Sequence, residues 1–194
     1  ALMLAAGFVK QYHSEDGHLT LREGDASDEF TSYFLWEVAV WDASQTKNVE
    51  EFLIPNEQLV DLDGNGKRTF TSPALPFDLE LSGFLRNCEV MPKGPMWQAD
   101  SPVVDGYALK AMDEELEAEQ NRAGLTVTFH DRATGATRTD LLWLFEQHPA
   151  TFEAGGKTWA ASLRHTRYSM PFAVRLEDVR KEDYPGIRTV RSYE

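Results

Sequence analysis

Two distant runs of the chain carry apolar residues at every second position. Pro76-Phe77-Asp78-Leu79-Glu80-Leu81-Ser82-Gly83-Phe84 sets Phe77, Leu79 and Leu81 on one side. Pro171-Phe172-Ala173-Val174-Arg175-Leu176-Glu177-Asp178-Val179 does the same with Phe172, Val174 and Leu176. A period of two predicts half-buried strands, each with proline at its start, where the missing N–H costs no ladder bond. The likeness extends upstream. Trp36-Glu37-Val38-Ala39-Val40-Trp41-Asp42 aligns with Leu125-Thr126-Val127-Thr128-Phe129-His130-Asp131, and Phe52-Leu53-Ile54 with Leu142-Trp143-Leu144. Glycine turns follow in both copies, Asn65-Gly66-Lys67 ahead of Phe70 and Gly155-Gly156-Lys157 ahead of Trp159, and both are hairpin signals. Self-similarity of this kind predicts a duplication. The expected architecture is mainly β, with two similar units of sandwich or open-barrel form over residues 18–97 and 122–194. Residues 1–17 are expected to form a lead-in.

The segment between them, residues 98–121, has a different pattern. Leu109, Met112 and Leu116 recur at helical spacing among glutamates, which predicts a short amphipathic helix within residues 105–121. Pro92-Lys93-Gly94-Pro95 and Ser101-Pro102 are breakers ahead of it, so the units are expected to be joined by a surface connection that is partly helical.

Composition narrows the function classes. The chain has 194 residues, 42% hydrophobic and 11% aromatic, enough for a real core. Its net charge of −13, with no Lys/Arg-rich stretch to offset it, argues against a nucleic acid partner. Cys88 is the single cysteine, so the chain forms no internal disulfide and has no C-x-x-C pair for redox work, zinc or thioether haem attachment. The opening Ala1-Leu2-Met3-Leu4-Ala5-Ala6-Gly7-Phe8-Val9 is apolar but far shorter than the roughly 20 residues of a spanning helix. It reads as the trailing edge of something upstream.

Candidate chemistry is sparse. Asp61-Leu62-Asp63-Gly64-Asn65-Gly66-Lys67-Arg68-Thr69 resembles the first part of a calcium loop, but its twelfth position is Ser72, where a bidentate carboxylate is needed. A plain hairpin is the favoured reading, and no metal site is expected. His13, His18, His130, His148 and His165 form no recognisable cluster. There is no G-x-S-x-G elbow, H-E-x-x-H helix or phosphate-binding glycine loop. The run of Glu114, Glu115, Glu117 and Glu119 reads as a solvated face. Most tryptophans fall in strand-like runs and are expected in the core; Trp97 is the exception. No catalytic residue is expected.

The end of the chain carries a specific phrase. Met170-Pro171-Phe172-Ala173-Val174-Arg175-Leu176-Glu177-Asp178-Val179-Arg180-Lys181-Glu182-Asp183-Tyr184-Pro185-Gly186 resembles the ResB family of cytochrome c biogenesis proteins: Pro-Phe, an alternating strand, an acidic residue, then Tyr-Pro-Gly. The likeness is strong over residues 170–194, fainter over 119–169, and slight in the first hundred. It implies an extracytoplasmic domain of a membrane-anchored protein at the outer face of the cytoplasmic membrane. Such a domain works with a ResC/CcsA-type membrane partner to deliver haem to apocytochrome c, as a non-catalytic scaffold. The membrane segments would lie outside this chain. Haem is possible in the full-length protein, and no cofactor is expected on this part alone. The same resemblance implies structural roles for the phrase: Pro171 and Phe172 at the strand start, Val174 and Leu176 in the core, Glu182 near the turn, and Tyr184-Pro185-Gly186 making it. Two rival readings come from the residues themselves: a carrier of a lipid or small apolar ligand, favoured by inward aromatics that enclose a cavity, and an enzyme with dispersed carboxylates.

Overall fold

The computed structural model describes residues 16–45, 49–64, 66–95, 101–179, 181–183 and 190–193. The chain is mainly β. Its first half supplies β1 (Gly17–His18), β2 (Ala26–Asp42), β3 (Glu51–Ile54), β4 (Lys67–Phe70), β5 (Phe77–Leu85) and β6 (Cys88–Pro92). There follow β7 (Tyr107–Ala111), β8 (Gly124–Asp131), β9 (Thr137–Trp143), β10 (Ala150–Ala154), β11 (Lys157–Arg175), β12 (Lys181–Asp183) and β13 (Val190–Tyr193). They fall into two compact units, one of Ala1–Tyr33 with Arg167–Glu194 and one of Phe34–Thr166.

The sandwich of the Phe34–Thr166 unit is built from four hairpins in two sheets, and β6 and β7 form a small third sheet. In one sheet β3 pairs with β2, β2 with β11, and β11 with β10; the other runs β4-β5-β8-β9. In β5 the expected alternation holds, with Phe77, Leu79 and Leu81 buried and Asp78, Glu80 and Ser82 half-buried. These apolar residues join Val38, Val40 and Ile54 of the first sheet and Leu125, Val127 and Phe129 of β8 in one core. Aromatic rings tie the layers together. Phe77 meets Phe129 at 5.5 Å, Phe152 at 5.6 Å and Trp159 at 5.5 Å, each edge to face, and Phe129 stacks on Phe152 at 5.1 Å. The result is an open sandwich; among the described residues neither sheet closes into a barrel.

The hairpins are distributed between the two sheets of the sandwich. The first sheet takes the hairpins β2–β3 and β10–β11, and the second takes β4–β5 and β8–β9. In each sheet the first strand of one hairpin lies beside the second strand of the other: β2 beside β11, and β8 beside β5. Two buried aspartates make similar turns. Asp42 Oδ1 accepts the N–H of Ser44 at 3.0 Å, while Asp131 Oδ1 accepts those of Ala133 at 2.7 Å and Thr134 at 2.9 Å. The next N–H on each side reaches across, Ala43 to the Thr158 carbonyl at 2.8 Å and Arg132 to the Pro76 carbonyl at 3.2 Å. Phe77 therefore answers Trp159, at the start of β11, and not Phe172.

Three local expectations are corrected. Pro171 lies inside β11 and does not begin it; Phe172 is 61% exposed and Val174 37%, so Val174 anchors no core. Period two defines the sides of a strand but not what covers them. Residues 105–121 hold β7 and a 3₁₀ turn at Ala118–Gln120 in place of the amphipathic helix. Leu109 is buried in the β7 ladder, Leu116 is fully exposed, and the intervening carboxylates repel one another along any helix. Gly66 is not at a hairpin tip, because a 3₁₀ turn at Asn56–Gln58 precedes it and β4 pairs forward with β5. A Cβ at Gly66 would stand 2.8 Å from the Asp61 carbonyl oxygen, so close backbone approach requires the glycine. The Gly155-Gly156 turn does close a hairpin, β10–β11, with Ala154 opposite Lys157.

In the other unit β1 pairs Gly17 with Ser32 and His18 with Thr31. The Phe30 and Tyr168 rings stack at 5.4 Å, and the chain beyond β11 is held by Leu176 N–H to the Asp25 carbonyl at 3.0 Å. β12 and β13 form a short antiparallel pair with an irregular register at Glu182/Asp183.

Candidate functional site

Strand β9 presents Leu142 to the sandwich core and, by alternation, Leu141 and Trp143 to the opposite side of its sheet. The hairpin of β6 and β7 covers that side, with Cys88 opposite Ala111 and Val90 opposite Leu109. Cys88, Leu109 and Leu141 form a small second core with Leu85, Val90, Val104 and Trp143 around it. Burial pushes the Cys88 thiol up to about 11, so it is protonated and inert at neutral pH. The approach to β7 is a two-residue turn: Val104 and Tyr107 exchange both backbone hydrogen bonds at 2.8 Å, with φ of 49° at Asp105 and 84° at Gly106. Asp-Gly suits such a turn because both positions need positive φ.

Between this hairpin and β9 lies a cleft of about 320 Å³. Its walls are the apolar side chains of Val90, Val104, Leu141 and Trp143, with Tyr107 beside them. Three carboxyl groups line it: Asp105, Asp140 and Glu146. Asp140 is engaged, with Oδ2 3.1 Å from Arg138 Nη2 and Oδ1 accepting the Leu141 N–H at 3.0 Å. Glu146 is not. Its Oε2 is buried and has no hydrogen-bond partner among the described residues. Burial, and secondarily the charge of Asp140, push this carboxyl up to about 8, so it is neutral at pH 7.

Backbone strain falls at the same place. Asp105 and Phe145 are the non-glycine residues with positive φ among the described residues. The turn accounts for Asp105. Phe145, at φ 70° and 68% exposed, sits in a turn closed by the Glu146 N–H on the Trp143 carbonyl at 3.3 Å, at a position that favours glycine, and holding a bulky residue there costs on the order of 1 kcal/mol. It directly precedes the unpartnered Glu146. An apolar slot ending in a neutral acid can take a small ligand, donate one hydrogen bond, or lose its proton to solvent as a cation binds beside it.

The other charged centres satisfy themselves. Arg164 donates from Nε to the buried Glu37 at 2.8 Å and forks onto Glu51 with both terminal nitrogens, one at 2.9 Å. Lys157 lies 2.8 Å from Asp42 and, with Ser44 and Gln45, holds that carboxyl well below the usual range. Asp61, in the calcium-like turn, is taken by Arg68 at 2.6 Å. Among the described residues no three His, Cys, Asp or Glu side chains converge as a metal site.

The residues of the terminal phrase lie elsewhere. Pro171, Phe172 and Val174 are exposed on β11, Leu176 is half-buried just beyond it, and Glu182 is on β12. Tyr184, Pro185 and Gly186 lie outside the described residues, as do Trp97 and His13. Trp36 and Trp159 fill the sandwich core, whereas Trp143 lines the cleft. Asp105-Gly106 carried a turn signal that could have pointed to the hairpin; nothing near Phe145-Glu146 marked the acid. Among the described residues no helix is long and apolar enough to cross a membrane. No family model matches the chain, and no curated protein matches it.

Proposed function

We propose that this chain is the extracytoplasmic domain of a ResB-like, membrane-anchored protein. In this reading it is a non-catalytic scaffold that helps a ResC/CcsA-type partner deliver haem to apocytochrome c. The observation that carries the reading is the placing of the resembling phrase. Pro171, Phe172 and Val174 stand exposed along β11, and Val179 is exposed beyond it. A specific apolar phrase that is not consumed by a core is available to a partner. The net charge of −13 suits docking of a basic polypeptide.

The test is genetic. Deleting the gene in its native host is expected to abolish covalent haem on c-type cytochromes, read by haem-linked peroxidase staining. The wild-type gene is expected to restore it, and Phe172→Ser with Val174→Ser, at equal protein level, is not. Unimpaired cytochrome maturation in the deletion strain would end this reading. A second reading, a carrier of a small apolar ligand, is favoured by the cleft; about 320 Å³ is at the small end for ligand pockets and leaves no room for a lipid.

A further inference from the structure

We infer that the cleft between β9 and the β6–β7 hairpin is a binding site for an alkylammonium group, with Glu146 as its counter-ion. The inference rests on the cleft alone, so its failure leaves the haem-delivery reading untouched.

Shape and charge select this class of ligand. Val104, Leu141 and Trp143 give an apolar slot for a short alkyl stem, and about 320 Å³ holds a chain of four to six carbons with room to spare. Trp143 and Tyr107 add aromatic surface, which favours a cation over a neutral group of the same size. The charged groups at the cleft are Asp105, Asp140 and Glu146, with Arg138 already held on Asp140. An anion would face the Asp105 and Asp140 carboxyl groups, with the nearby guanidinium of Arg138 already engaged by Asp140. Glu146 Oε2, buried with no partner among the described residues, is the acceptor left open for an N–H donor.

The proton balance is explicit. In the empty cleft Glu146 is protonated at neutral pH because burial lifts it to about 8. Entry of R–NH₃⁺ favours the carboxylate, so the Glu146 O–H releases its proton to solvent and a charge-assisted N–H···O pair forms. Affinity must then rise with pH, about tenfold per unit below pH 8, and level off above it. The other titratable groups facing the cleft are Asp105, Asp140 and Tyr107.

A free amine and a lysine side chain present the same chemistry, and the test separates them. The full chain is titrated calorimetrically with n-pentylammonium and with acetyl-Gly-Lys-Gly-amide, using the Nε-acetylated peptide as control. At least one amine is expected to bind at millimolar concentration or better, with release of close to one proton at pH 7. Glu146→Gln should weaken it tenfold or more while melting no lower than wild type. Val104→Phe, which fills the slot and keeps the acid, should abolish binding. Binding of pentylammonium alone assigns a small amine; binding of the lysine peptide, lost on acetylation, assigns a polypeptide. The inference is overturned if neither amine binds, if affinity is flat from pH 6 to 8, or if Glu146→Gln binds as tightly as wild type.

Discussion

Two carboxyl groups of this protein are removed from water on opposite terms. Glu37, 4% exposed, is paired with Arg164, and that guanidinium is shared with Glu51. Taking away one partner of such a pair strands a charge. Glu146 has no partner and avoids the penalty by keeping its proton. Its pKa rises from 4.5 to about 8 on folding, so between those values the folded state holds a proton that the unfolded state has lost. Stability from this group is therefore complete below pH 4.5, falls as pH rises through the window, and is constant above pH 8. Glu146→Gln should match wild type near pH 4.5 and exceed it at pH 8. The expected gain is on the order of 2 kcal/mol, reduced from the full linkage value because solvent reaches part of the side chain. Urea melts of both proteins at the two pH values read this directly. An equal difference at both would mean that the acid is not buried as described.

At the scale of elements, the second core depends on how closely β8 approaches β6. A Cβ on Gly124 would lie 2.5 Å from Cys88 Sγ and 3.2 Å from Leu109 Cδ1. Gly124→Ala should cost about 1–3 kcal/mol through overpacking, and Cys88→Ala, by vacating the sulfur, should recover at least half of that. A double-mutant cycle measures the coupling; strictly additive effects would contradict the contact. Cys88 drew notice in the sequence only for being alone, and Gly124 drew none, since close packing between strands leaves no local trace. What was legible was whatever alternation or a turn residue writes into a few consecutive positions. Phe77, Leu79 and Leu81 declared a strand and its buried side, Gly155-Gly156 declared a hairpin, and the match of Trp36–Asp42 to residues 125–131 placed the two capping aspartates in register. Pairing was not legible. Two Pro-Phe runs looked equivalent, yet the cross-strand bonds of Ala43 and Arg132 set Phe77 against Trp159. Leu109, Met112 and Leu116 fit a helical period, yet the neighbours of Leu109 decided for β7. Glu146 was invisible because the atoms that desolvate it include those of a hairpin far away in sequence.

For the molecule as a whole, the exchange of hairpins makes the halves of the Phe34–Thr166 unit interdependent. Each of the two sheets of its sandwich takes one hairpin from before residue 95 and one from after it, and Phe77 from the first half meets Phe129, Phe152 and Trp159 from the second. β6 and β7 pair across the same divide. A chain cut after Gly94 would leave both fragments with unpaired strand edges and half of a core exposed, which a lone hairpin pair cannot offset. Neither the 1–94 nor the 95–194 fragment is therefore expected to show a cooperative thermal transition or tryptophan near-ultraviolet circular dichroism. Mixed in equal amounts, they should regain both, because Trp159 of one fragment needs Phe77 of the other, at 5.5 Å. If each fragment instead unfolded cooperatively by itself, the halves would be self-sufficient and the cross-paired topology would be wrong. Contacts between the halves join residues far apart in sequence, so refolding of the intact chain should be slow for its size, with the pairing of β2 with β11 as the late, long-range step.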